Sequence, residues 1–138
     1  MAQTSKSVAS IDALRHSHPT ITWDTKSAKV ADVNCDGKLD TIVLGSEKNN
    51  VVVAVLSGAP SVAPSLFTFP VNQHTQDSFC SVPKRIEISP LDCASDEGTL
   101  PGCKQYKGCR AFSVVDDDCD SFHFYWDSSR KTLAWWRL

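Results

Sequence analysis

Long apolar runs are missing from this 138-residue chain. The longest, Val51–Leu56, is far short of the roughly 20 residues that a spanning helix needs. The chain is therefore not expected to span a membrane. An excess of positive charge is missing too: 14 Lys and Arg stand against 16 Asp and Glu, for a formal net charge of -2. Without a basic stripe there is nothing to neutralise a phosphate backbone, so nucleic acid is excluded as an expected partner. No CxxC pair and no Cys/His zinc spacing occurs. GxSxG, HExxH, the P-loop and the dinucleotide GxGxxG are all absent. His16, His18, His74 and His123 have no partner at suggestive spacing. The expectation is a chain that is not an enzyme.

What is present begins with cysteine. Cys35, Cys80, Cys93, Cys103, Cys109 and Cys119 form an even set, read as three disulfides in an oxidising compartment, periplasmic or secreted. Six cysteines allow about 15 pairings, and the spacing selects none of them. The first residues, Met1 to Lys6, contain no apolar h-region, so a precursor is expected to have carried a leader, with or without a lipid anchor.

One domain is expected over residues 1–138. Residues 1–9 read as a loose terminus, and Ser10–His16 as a short helix capped by Ser10 and closed by Pro19. Nine strand-like runs follow: 20–23, 29–33, 41–45, 51–57, 65–71, 84–89, 110–115, 121–127 and 131–138. They are β-branched or aromatic and bounded by turn residues. The fold class is all-β: a small antiparallel sandwich or a partial propeller-like sheet, with one short N-terminal helix and disulfide staples. Val51–Leu56 does not alternate, which predicts a strand covered on both faces. The segment 91–108, with three glycines and Pro101, reads as a long loop that needs stapling.

The most specific motif is Asp32-Val33-Asn34-Cys35-Asp36-Gly37-Lys38-Leu39-Asp40. Oxygen side chains at positions 1, 3, 5 and 9 of a tight loop converge on one point, and Ca2+ takes six to eight oxygens. Gly37 permits the turn. Asp32, Asn34, Asp36 and Asp40 are the candidate side-chain ligands, and Lys38 would contribute its carbonyl. Position 12 is Val43, not the glutamate of an EF-hand, so the loop belongs to a β context.

This pattern, running into Thr41-Ile42-Val43-Leu44, resembles the FG-GAP and VCBS-type calcium-loop repeats of extracellular β-propellers, over about residues 29–57. The resemblance implies a loop joining two strands of a blade and binding Ca2+. A degenerate second copy spans about 113–138, where Asp116-Asp117-Asp118-Cys119-Asp120 precedes another strand, turn and strand. It lacks the glycine and has Phe124 at position 9. Two uses are open: a decayed repeat whose acidic loop is solvated, or a Cys35–Cys119 pair that brings Asp118 or Asp120 to the first site.

With no catalytic pattern, surface recognition is the expected function. In size and expected architecture the chain is similar to small periplasmic inhibitor and immunity proteins that neutralise peptidoglycan-degrading enzymes, a likeness of fold alone. It implies a protein partner, a cell-wall hydrolase or toxin, occluded by a protruding turn. Asp127, Ser128, Ser129 and Arg130 are the candidate partner-binding residues, and Ser46–Asn50 is the competing turn. A carbohydrate-binding module is the alternative, with Trp126, Trp135 or Trp136 as exposed stacking platforms.

Overall fold

The computed structural model describes residues 2–59, 61–83, 85–95 and 98–138. Met1 and Lys84, each at the start of an expected segment, lie outside them. The elements are α1 (Ala2–Ser17), β1 (Thr22–Ala31), β2 (Asp40–Glu47), β3 (Asn50–Leu56), β4 (Ser65–Pro70), β5 (Ile86–Pro90), β6 (Ala94–Ser95), β7 (Gly98–Thr99), β8 (Arg110–Val114), β9 (Phe122–Asp127) and β10 (Thr132–Trp136). The helix is longer than expected and takes in residues read as a loose terminus; Ser10 is inside it, not its cap. Small polar residues lower helix propensity only slightly, so their presence did not exclude a helix.

Two four-stranded antiparallel sheets, β1-β2-β3-β4 and β10-β9-β8-β5, make a sandwich. Ile42, Leu44, Val51, Val53, Val55 and Phe69 of the first sheet meet Ile86, Phe112, Val114, Phe122 and Phe124 of the second in one core. On the first sheet's other face Val43, Val52, Ala54 and Leu56 pack with Ile11 and Leu14 of the helix. Strand β3 thus alternates between two apolar environments, as its unbroken apolar sequence predicts. The second sheet's outer face is covered in turn. Leu91, Cys93, Leu100 and Cys109 of the stapled loop pack on Tyr125, with Trp136 against them.

The runs 20–23 and 29–33 are one strand, not two. The register jumps from Asp24↔Leu44 to Lys29↔Ile42, and the residues between form a bulge. Buried Ser27 repairs the ladder there. Its hydroxyl accepts from Leu44 N at 2.9 Å and donates to the Asp24 carbonyl at 2.7 Å.

All six cysteines are paired: Cys35–Cys109, Cys80–Cys119 and Cys93–Cys103. The suggested Cys35–Cys119 pair is corrected by this connectivity. The two acidic loops lie at opposite ends of the sandwich. The 32–40 loop adjoins the start of β8, where Arg110 N donates to the Asp32 carbonyl at 2.8 Å. The 116–120 loop follows the far end of that same strand.

Candidate metal centre

Three carboxylates of the first loop converge. Asp32, Asp36 and Asp40 each offer an oxygen, all within 4.8 Å of one another. Two ligands on opposite sides of one Ca2+ stand at most about 5 Å apart, so all three can share an ion. The loop's own backbone sets the convergence. Gly37 N donates to Asp32 Oδ2 at 2.9 Å and Lys38 N to Asp36 Oδ1 at 2.9 Å. Gly37 takes φ +82°, and Cys35 takes φ 59°. Both angles lie where a side chain is strained, and the Cys35–Cys109 bridge secures the strained cysteine.

Asp40 is the anchor and is fully buried. Its Oδ2 accepts from Val33 N at 2.9 Å and Asn34 N at 3.3 Å, and its Oδ1 from Gly58 N at 3.0 Å. Burial raises its pKa, against the lowering effect of these N–H donors, and the neighbouring Asp36 charge raises it further. Gly58 is a contributor that sequence reading missed. A side chain there would meet the Leu39 carbonyl at 2.3 Å, so only glycine lets the β3–β4 connection reach Asp40. The available signal was Ser57-Gly58 directly after an apolar strand.

Asn34 completes the cage. One terminal atom of its amide stands 2.8 Å from Asp36 Oδ1 and 3.2 Å from Asp32 Oδ1. As nitrogen it donates to both carboxylates. As oxygen it accepts from Asp36 N at 3.3 Å and turns toward a cation shared with the two carboxylates, whereas the nitrogen satisfies them without one. Among the described residues no Lys or Arg forms an ion pair with Asp32, Asp36 or Asp40. The donor set is all hard oxygen and fits Ca2+.

The second acidic loop is built differently. Buried Asp116 accepts from Cys80 N at 2.7 Å, Ser81 Oγ at 3.0 Å and Asp118 N at 3.1 Å. Arg137 Nη2 lies 3.5 Å from its Oδ2. Arg85 reaches Asp117 at 3.7 Å, and Asp120 takes Leu138 N at 2.7 Å and His123 Nε2 at 3.4 Å. This loop is neither merely solvated nor near the first site: Arg137 and Arg85 pair with two of its carboxylates, Asp116 and Asp117. The cluster Cys80, Asp116 and Cys119 offers no thiolate, because its two cysteines are bridged to each other.

The β9–β10 turn is held rigidly. Asp127 Oδ1 accepts from Ser129 N at 3.0 Å, Ser129 Oγ at 2.7 Å and Arg130 N at 3.1 Å. Ser128 N donates to the Gly102 carbonyl at 2.8 Å. Asp127 is buried and Ser128 half-buried, so the exposed part of the tip is Ser129, Arg130 and Lys131. The Ser129 hydroxyl first, then the turn N–H groups, lower the Asp127 pKa. A depressed carboxylate contributes stability above its unfolded pKa, and that contribution is lost as pH falls through the folded value. S129A is expected to return the Asp127 titration toward the ordinary carboxylate range, as read by carbon-detected NMR.

The other candidates separate. Ser46–Asn50 closes β2 and β3 at the opposite end of the sandwich, where Glu47 pairs with Asn50. Trp135 packs on Phe69 and Phe122 within the core, and Trp126 lies against the same core. Trp136 stacks on His123 at 4.3 Å on the outer face, and Trp23 is buried. Trp23 is thus buried, and Trp126, Trp135 and Trp136 are half-buried. His123 is held between Ser113 Oγ at 2.9 Å and Asp120. No protein-family model matches the chain, and no curated protein or solved structure matches it.

Proposed function

We propose that this protein is a calcium-stabilised, non-enzymatic binding protein that occludes a peptidoglycan-degrading enzyme or secreted effector outside the cytoplasm. The observation that carries the metal is the contrast between the two acidic loops. Arg137 and Arg85 serve the 116–120 loop, whereas Asp32, Asp36 and Asp40 converge with no Lys or Arg in an ion pair with them among the described residues. Like charges at this separation repel unless a countercharge joins them. The arrangement agrees with the FG-GAP-like pattern of residues 32–40. Three disulfides fit an extracytoplasmic protein, and among the described residues no helix is long and apolar enough to cross a membrane.

Support for occlusion comes from the Asp127–Arg130 turn. It shares the sandwich end with the 32–40 loop and is braced by three hydrogen bonds to Asp127 and the contact with Gly102. A preorganised tip loses little entropy on entering a cleft. Calcium, in this reading, is structural: it rigidifies the end that docks.

Thermal unfolding with calcium and with chelator tests the metal. Extracellular sites bind at about 10^-4 to 10^-3 M, so 10 mM Ca2+ adds about 1.4 to 2.7 kcal/mol and raises Tm by several degrees. D36N should abolish the shift while the protein still folds, because Asp36 is exposed. Coincident melts in calcium and chelator would show that the loop takes no ion. Occlusion is tested by turbidity clearing of cell walls by a peptidoglycan hydrolase, which the protein should slow. Undiminished clearing by glycan-cleaving and amide-cleaving hydrolases alike would refute it.

A further inference from the structure

The three disulfides differ in how closely a thiol in solution can approach them. Cys119 is exposed and its partner Cys80 half-buried. Cys109 and Cys93 are buried, and their partners Cys35 and Cys103 are half-buried. Cys80 and Cys119 also line a cavity of about 470 Å³, together with His74, Asp120 and Arg137. A cavity of that size admits a small organic molecule. A disulfide opens when a thiolate attacks one sulfur and the other departs. The rate therefore depends on access to the first and on the stability of the second as a thiolate.

The two sulfurs of this bridge are not equivalent. Arg137 Nη2 donates to Cys80 Sγ at 3.9 Å, and a guanidinium beside a sulfur favours its thiolate. Among the described residues no Lys or Arg donates to Cys119 Sγ. An Asp116 oxygen lies within 4.8 Å of both sulfurs, so its charge disfavours a thiolate at either and does not choose between them. Arg137, 3.5 Å from Asp116 Oδ2, offsets that charge. Access selects Cys119 for attack, and the guanidinium selects Cys80 to leave.

We propose that Cys80–Cys119 is a thiol-exchange site, opened by a dithiol reductant that attacks Cys119, while the other two bridges are structural. This goes beyond the occlusion reading and does not rest on it. The first sulfur of the dithiol bonds to Cys119 Sγ as the Cys80–Cys119 bond breaks, and the bonding pair passes to Cys80 Sγ beside Arg137. The second sulfur then displaces Cys119 and closes the reductant's own disulfide. The bridge gains two electrons, the dithiol loses two, and its two protons reach the cysteine sulfurs through solvent. Opening removes the covalent tie between the 116–120 loop and the 78–81 segment. The noncovalent tie stays, because Asp116 still accepts from Cys80 N and Ser81 Oγ. The opened protein is therefore expected to remain folded.

The folded wild-type protein is treated with dithiothreitol, quenched with N-ethylmaleimide at timed intervals and mapped by peptide mass spectrometry. Cys80 and Cys119 should be labelled first, about tenfold or more ahead of the other four cysteines. Their rate should follow the dithiothreitol concentration and stay unchanged in sub-denaturing urea. The doubly labelled protein should keep the native far-UV circular dichroism spectrum. With 2-mercaptoethanol and an acid quench, the mixed disulfide should be found on Cys119 and the free thiol on Cys80. Another bridge opening first, or all three opening together at a rate that climbs with urea, overturns the exchange site. Loss of the native spectrum on labelling overturns it too, since the bridge would then be structural like the others. A mixed disulfide mainly on Cys80 overturns the direction of attack.

Discussion

R137M is expected to lower the unfolding free energy by about 3–5 kcal/mol, the cost of removing one partner from a buried ion pair. Both partners are out of solvent: the Arg137 side chain is 6% exposed and that of Asp116 is 0% exposed. The guanidinium does more than neutralise Asp116. Its Nη1 donates to the carbonyls of Gln76 and Ser78, its Nε donates to the Asp120 carbonyl at 3.1 Å, and its plane lies 4.5 Å from the Phe122 ring centroid. It therefore ties the end of β10 to the 76–80 segment and to the acidic loop together. Urea denaturation gives the measurement, and D116N/R137M supplies the control. If the damage in R137M is the stranded Asp116 charge, the double variant should lose less than the sum of the two single variants. Additive losses would mean that the pair is not coupled. K131M, at an exposed turn position, should stay within about 0.5 kcal/mol of wild type.

Removing the Cys35–Cys109 bridge as C35S/C109S should cost about 4 kcal/mol, because it releases a closed loop with a sequence separation of 74. Removing Cys93–Cys103, with a separation of 10, should cost about 3 kcal/mol by the same chain-entropy argument. The longer bridge carries a second consequence. Cys35 sits between Asn34 and Asp36 in a left-handed conformation, and the bridge fixes that turn from β8. C35S/C109S should therefore also lose most of the calcium-induced rise in Tm, which C93S/C103S should keep. Equal calcium responses in the two double variants would show that the bridge does not organise the loop.

Much of this arrangement was legible in residue order. Strand β3 announced its two covered faces, because six consecutive apolar residues leave no side for water. Asp32, Asp36 and Asp40 converge because a tight loop turns alternate residues inward, which is a local property. The bulge in β1 was not legible. Asp24 to Ser27 look like a turn, and only the Ser27 hydroxyl, satisfying Leu44 N across the sheet, makes them part of a strand. Nor was Arg137 visible as the counterion of Asp116, since the two are 21 residues apart and meet only when β10 lies beside β9.

The chain by itself determined the all-β class, the pairing of every cysteine and the convergence of the first acidic loop. Each follows from composition or from residues within a few positions of one another. The tertiary structure alone decided which cysteines pair, which acidic loop gains arginine partners and where the tryptophans go. Those outcomes depend on strands brought together from distant parts of the sequence, and pairing energies between such strands leave no mark in local order.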